Sequence, residues 1–189
     1  MSRPRSAQAT LPDLLSPGLR LVFVGINPSL YSVAQGHYFA RPGNRFWPCL
    51  SVSRLGAEAR AALDVQHLEP RHDRALLACG IGFTDVVKRA TAKASELAAA
   101  ELKAGAGRLK MKLARYKPGV ACFHGVTGYR FVQAAMTDEE RPVTLGVQPV
   151  TLGTTRIFVL PNPSGANAHF TREEQVLWYN RLAAYLSVG

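Results

Sequence analysis

Three short apolar runs punctuate the chain: LRLVFVGI (19–26), GVACFHG (119–125) and TRIFVLPN (155–162). Each stops at glycine, proline or asparagine, and none alternates with polar residues. That pattern predicts strands buried on both faces. QPVTL (148–152) is a weaker run of the same kind. Between the runs the period lengthens. In SELAAAELKAGAGRLKMKLARYKPG (95–119), Leu102, Leu109, Leu113 and Tyr116 recur at intervals of 7, 4 and 3, one face of a helix that Pro118-Gly119 closes. Gly105 and Gly107 weaken its middle. Thr171 with Glu174 forms a capping box, and Val176, Tyr179, Ala183 and Leu186 follow at helical spacing. Buried strands alternating with amphipathic helices predict an α/β fold, a three-layer α/β/α sandwich around a central, mainly parallel sheet. Residues 18–189 read as a single domain. Residues 1–17, polar and with three prolines, read as a flexible arm.

Composition narrows the class. The 189 residues are 47% hydrophobic and 19% charged, which suits a globular domain. No apolar run is long enough to span a bilayer, and the N-terminus lacks the apolar core of a signal peptide, so a cytoplasmic location and no membrane partner are expected. Three widely spaced cysteines (Cys49, Cys79, Cys122) form no C-x-x-C pair, and the five histidines form no ligand pattern. A metal site is not expected. Charge changes the picture more. The 23 Lys and Arg against 13 Asp and Glu give +10, which points to a polyanionic partner, usually nucleic acid. Six basic residues (Lys103, Arg108, Lys110, Lys112, Arg115, Lys117) lie along the middle helix, either as a solvated face or toward phosphates.

Candidate chemistry sits where two of the strands end. VFVGINPSLYS (22–32) and IFVLPNPSGAN (157–167) both run from an apolar segment into Asn-Pro-Ser. Ligands of parallel sheets bind beyond the carboxyl ends of the strands, so the two loops, together with His124 of FHG, are expected to face one crevice. Proline holds the preceding residue extended, so Asn27 is stiffly presented. An amide there holds a water or reads a ligand edge; it equally caps a strand as an Asx turn. The following SVAQGHYFARPGNRFW (32–47) interleaves aromatics with Arg41 and Arg45, a pattern suited to base stacking and phosphate contact. Phe46 and Trp47 are assigned to the core and Phe39 to the ligand.

GINPSLYSVAQGHYFARPGNRFW (25–47) and LPNPSGANAHF (160–170) resemble the two signature motifs of the mismatch-specific uracil/thymine-DNA glycosylases, a branch of the uracil-DNA glycosylase superfamily. The resemblance runs in matching order from about residue 14 to the C-terminus and includes GFTDVVKRAT (82–91) and KLARYKP (112–118). It implies an enzyme that flips uracil, or thymine or an exocyclic adduct, out of a G-mismatched duplex and hydrolyses the N-glycosidic bond, with no metal and no cofactor. It makes Asn27 the residue that positions the water, Phe39 the stacking ring, and Ile26 and Phe39 the backbone of the base pocket. Ser32 matches a pocket serine. Asn162, Pro163, Ser164 and Gly165 match the motif that approaches DNA. The chain also departs from the family. Ser29 replaces the usual glycine, which implies a tighter or more polar wall. Ala166, Asn167 and Ala168 replace a bulky aliphatic and an arginine at the wedge, which implies a weaker grip on the duplex. Asp85 stands where relatives carry Asn or Lys; near the water it would be a general base, and elsewhere an N-cap or salt-bridge residue. The expected partner is double-stranded DNA with a G·U or related mismatch, bound by a monomer. Two other readings stay open: a uracil-DNA glycosylase of another branch with broader single- and double-strand activity, and a non-catalytic nucleic-acid-binding α/β domain.

Overall fold

A computed structural model describes residues 10–137 and 141–188. Five strands form one sheet: β1 (Leu21–Gly25), β2 (Ile81–Asp85), β3 (Val120–His124), β4 (Gly146–Leu152) and β5 (Thr155–Leu160), in the order β2-β1-β3-β5-β4. All neighbours are parallel except β4, which runs antiparallel to β5. The helices are α1 (Leu30–Gln35), α2 (Phe46–Val52), α3 (Arg54–Leu63), α4 (Ala99–Tyr116), α5 (Val126–Thr137) and α6 (Arg172–Ser187).

Side chains on successive strand residues point to opposite faces, and here both faces are covered. Leu21, Phe23, Val120, Cys122, Phe158 and Leu160 face a core with α2, α3 and α6. Val22, Val24, Ala121, Phe123, Ile157 and Val159 face a second core with α4 and α5. This is the expected three-layer α/β/α sandwich. The expected helices over 95–119 and from Thr171 appear as α4 and α6; Thr171 accepts from the Glu174 N–H and Glu174 from the Thr171 N–H. Gly105 does not weaken α4 without return. A Cβ there would lie 2.5 Å from the Val86 carbonyl oxygen, so its absence lets the helix sit tightly on the segment after β2.

Three expectations are corrected. Residues 1–9 of the expected arm lie outside the described residues, but residues 10–17 are not a free arm. Leu11 and Leu14 are buried, and Leu14 exchanges two backbone hydrogen bonds of 2.9 Å with Phe83, covering the outer edge of β2. QPVTL belongs to a longer β4 of edge character, with alternating burial. Lys112 of the basic helix is no solvated charge: its Nζ lies 2.6 Å from Asp13.

Candidate active site

β1, β2, β3 and β5 run parallel, so their carboxyl ends share one edge of the sheet. β1 lies between β2 and β3, and the connections leave it in opposite directions, which opens a crevice at that edge. A cleft of about 450 Å³ lies there. Ile26, Asn27, Ser29, Ser32, Phe39, Arg41 and Asp85 line it from one side, and His124, Asn162, Pro163, Ser164 and Ala166 from the other. Asn27 and Asn162 are 135 positions apart in the chain.

The Asn27 side chain is clamped by one end. Its Nδ2 donates to Thr91 Oγ1 at 2.7 Å, to the Arg89 carbonyl at 3.0 Å and to the Pro28 carbonyl at 3.3 Å. The Thr91 hydroxyl donates in turn to the Lys93 carbonyl at 2.8 Å, so its lone pair is what faces Asn27. Three acceptors around one end of the amide fix which end is NH2. Oδ1 is left with no hydrogen-bond partner among the described residues. The amide is therefore an oriented acceptor at the cleft.

Asp85 closes β2 directly opposite Gly25. A Cβ on Gly25 would fall 2.4 Å from Asp85 Oδ1, so only glycine leaves the carboxyl room to lean over β1. Asp85 is 3% exposed, and its Oδ2 has no hydrogen bond among the described residues. Lys88 Nζ is 3.7 Å from that oxygen. Burial outweighs the lysine and pushes the Asp85 carboxyl up to about 7. It is a strand-end acid in the cleft and not an N-cap. His124, at the end of β3, turns its Nε2 to the Tyr179 hydroxyl at 3.3 Å, and burial lowers it to about 3, which keeps the imidazole neutral.

Phe39 has a left-handed backbone (φ 54°), uncommon outside glycine. Its ring stacks on Phe46 (centroids 4.3 Å apart, planes at 16°), and the half-buried residue reaches the cleft. Buried Asp73 orders this turn by accepting from the Tyr38 N–H at 3.0 Å and holding His37 Nδ1 at 3.1 Å. Phe46 and Trp47 are core residues, as expected. Ser29 holds the start of α1 in place. Its oxygen caps the helix by accepting from the Ser32 N–H at 3.1 Å, and its hydroxyl donates to Ser32 Oγ at 3.0 Å. Ser32 also accepts from the Ala40 N–H at 3.2 Å. The Ile26 carbonyl is already engaged by the Val87 N–H.

The second loop braces itself. Asn162 Oδ1 accepts from the Ser164 N–H at 2.9 Å, and Asn167 Nδ2 donates to the Asn162 carbonyl at 2.8 Å. Asn167 and Gly165 do not line the cleft. Nor does Arg45: its guanidinium donates to the Phe170 carbonyl, and its N–H donates to the Pro163 carbonyl at 2.8 Å, tying one loop to the other. Arg41 stays exposed at the mouth. Sequence reasoning missed Thr91, Asp73 and Leu11. Thr91 lies within GFTDVVKRAT, and that position was the one available signal. Among the described residues, no group of His, Cys, Asp or Glu could hold a metal ion.

A crevice at the carboxyl edge of a parallel sheet, in a chain of net charge +10, is the layout of an α/β enzyme that handles a polyanion. Residues 12–183 match the family model of the uracil DNA glycosylase superfamily, and the chain belongs to that superfamily. Its activity is accordingly that of a DNA glycosylase, a hydrolase of DNA repair directed at uracil.

Proposed function

We propose that the protein is a monofunctional glycosylase for mismatched duplex DNA. It flips uracil out of a G·U pair, and with lower efficiency thymine or an exocyclic cytosine adduct, and hydrolyses the N-glycosidic bond to leave an abasic site. The observation that carries this reading is the Asn27 amide, clamped through Nδ2 with Oδ1 left unbonded among the described residues, in the same cleft as the buried Asp85 carboxyl.

The chemistry follows from what each group can do. The base stacks on the free face of the Phe39 ring, and an extruded mismatched base costs less to unstack than a paired one. Asn27 Oδ1 accepts a hydrogen bond from a water and holds it below the sugar. The C1′–N1 bond breaks, its electron pair leaves with the pyrimidine, and the water oxygen bonds to C1′. The water proton passes to Asp85, whose carboxyl titrates near neutrality and so suits a general base. Its negative charge also favours the cationic sugar as it develops. Asn162, Pro163, Ser164 and Gly165, with Arg41, approach the phosphates around the flipped nucleotide; Ala166 and Asn167 stand at the gap it leaves, and Arg45 holds that loop in place.

A second reading has one observation in its favour. Ala166 and Ala168 are small and the Asn167 amide is spent inside its own loop, so among the described residues this loop presents no bulky wedge to the cleft. That favours activity on single strands as well. The test is excision from labelled duplexes containing G·U, A·U or G·T and from single-stranded U, with alkaline cleavage of abasic sites. The proposal expects G·U to be cut fastest and Asn27→Ala to slow cutting by at least about 100-fold. Equal rates on single-stranded U support the second reading. Binding with no cleavage of any substrate would reduce the protein to a non-catalytic DNA-binding domain.

A further inference from the structure

The segment that covers β2 does more than hide an edge. Leu14 pairs with Phe83, the Pro12 carbonyl accepts from the Tyr38 hydroxyl at 3.0 Å, and Leu11 reaches the cleft. Between these anchors Asp13 is pressed into a polar cluster behind the cleft floor. One of its oxygens takes Lys88 Nζ at 2.9 Å and the Thr84 hydroxyl at 2.8 Å, and the other takes Lys112 Nζ at 2.6 Å. Lys88 Nζ is at once 3.3 Å from the Tyr38 hydroxyl and 3.7 Å from Asp85 Oδ2. Charges thus alternate from the outer helix to the cleft: Lys112, Asp13, Lys88, Asp85.

We propose that Asp13 and Lys88 are positioning residues, and that the N-terminal segment, by holding the Lys88 ammonium between two carboxyls, sets the pH at which Asp85 ionises. The inference rests on the reading of Asp85 as the base of the reaction.

Lys88 is shared unequally. Asp13 has full hydrogen-bonding distance to it, whereas Asp85 has only the longer ion-pair distance. Burial works against an ionised Asp13, but its hydrogen bonds from Lys112 and Lys88 outweigh it and hold the carboxyl below the usual range. Asp13 is therefore charged whenever the enzyme works, and it draws Lys88 away from Asp85. The other groups acting on Asp85 are Tyr38 from the loop before α2, kept neutral by burial, and Lys112 from α4; neutral His124 of β3 lines the same cleft. Asp73, behind Tyr38, is engaged by His37. Among these groups the Lys88 ammonium, 3.7 Å from Asp85 Oδ2, is the strongest counter to burial, so its placement decides the balance.

Cutting the same ion pair from its two ends then has opposite effects. Lys88→Met removes the cation that favours the Asp85 carboxylate and moves its midpoint to higher pH. Asp13→Asn removes the competing anion, frees Lys88 and Lys112, and moves the midpoint to lower pH. Each shift is expected to be about 1 pH unit. A purely structural salt bridge would weaken the fold in both variants and move the midpoint in neither or in the same direction.

The experiment follows the Asp85 side-chain carboxyl by 13C NMR across pH 4–9 in the full chain, roughly the span over which a carboxyl raised to near neutrality titrates. Loss of the resonance in Asp85→Asn assigns it. Single-turnover excision from a G·U duplex is measured over the same range. Opposite shifts in the two variants uphold the inference; no shift, or shifts of one sign, overturn it. Lys88→Gln provides a second neutral variant should Lys88→Met fail to fold, and it carries the same expectation. If the NMR midpoints move apart while the excision profiles stay together, the charge coupling stands and Asp85 loses its role as base.

Discussion

Replacing Asp85 by asparagine should stabilise the protein at alkaline pH while slowing the reaction. The carboxyl is buried and its ionised form lacks a hydrogen bond to Oδ2 among the described residues, so folding raises it from an ordinary 3.8 to about 7. A raised acid favours the folded state in its protonated form. That contribution is complete below the unfolded value and is lost as pH climbs through the folded one. A gap of about 3 units, at about 1.4 kcal/mol each, amounts to about 4 kcal/mol lost between pH 4 and pH 9. Asparagine never ionises, so it escapes this loss. It leaves an amide group without a full set of partners, at about 1–2 kcal/mol. Asp85→Asn should therefore be less stable than the native protein by about 1–2 kcal/mol at pH 4 and more stable by about 2–3 kcal/mol at pH 9. Urea unfolding at both pH values measures this, because titrating groups that do not interact with Asp85 cancel in the difference. In a chain of this size the reversal corresponds to a swing of roughly 8–16 °C in the relative Tm. A stability difference that is the same at both pH values refutes the reasoning. Excision at pH 7 should fall in the same variant, since the proton acceptor is gone.

Three further outcomes follow from the cleft. Thr91→Val removes the acceptor that pins Asn27 and should cost about 1 kcal/mol of stability and about tenfold in single-turnover rate, with Thr91→Ser recovering both. Gly25→Ala forces a methyl group onto Asp85 Oδ1, so a stability loss of about 1–3 kcal/mol by thermal unfolding should accompany a loss of excision; a stable, active variant contradicts the packing described. Phe39→Ala removes the stacking face, worth about 1–3 kcal/mol, and should lower kcat/KM for G·U duplex by about 10–100-fold.

Much of this architecture was legible from residue patterns, and the gaps have physical causes. β1, β3 and β5 announce themselves because strands buried on both faces need unbroken apolar runs. β2 does not. Its IGFTD carries a glycine, a threonine and an aspartate, all buried, and Thr84 is satisfied by Asp13, 71 residues away. The same long-range partner explains the misread N-terminus, since a polar, proline-bearing segment looks like an arm until Leu14 finds Phe83. β4 was misread as a weak run buried on both faces: its burial alternates as in a half-exposed edge strand, but it turns Gln148 inward and Val147 outward, so its residue types do not reveal the alternation. α5 went unseen, and glycines at 125 and 128 interrupt its start. Within the cleft, the paired Asn-Pro-Ser loops lie at the carboxyl edge of the sheet and line one crevice, as their position after β1 and β5 predicts. The anchoring of Asn27 by Thr91, and of the Phe39 turn by Asp73, arises only from packing between distant segments.

The backbone bond from Arg45 to Pro163 has a consequence for synthesis. Pro163 follows Arg45 by 118 residues, and at about 5–20 residues per second roughly 6–24 s separate their appearance on the ribosome. Through that interval the growing chain owns the first loop without the strand, the second loop or the last helix that hold it in register. A product truncated before β5 therefore carries the amide but no closed cleft.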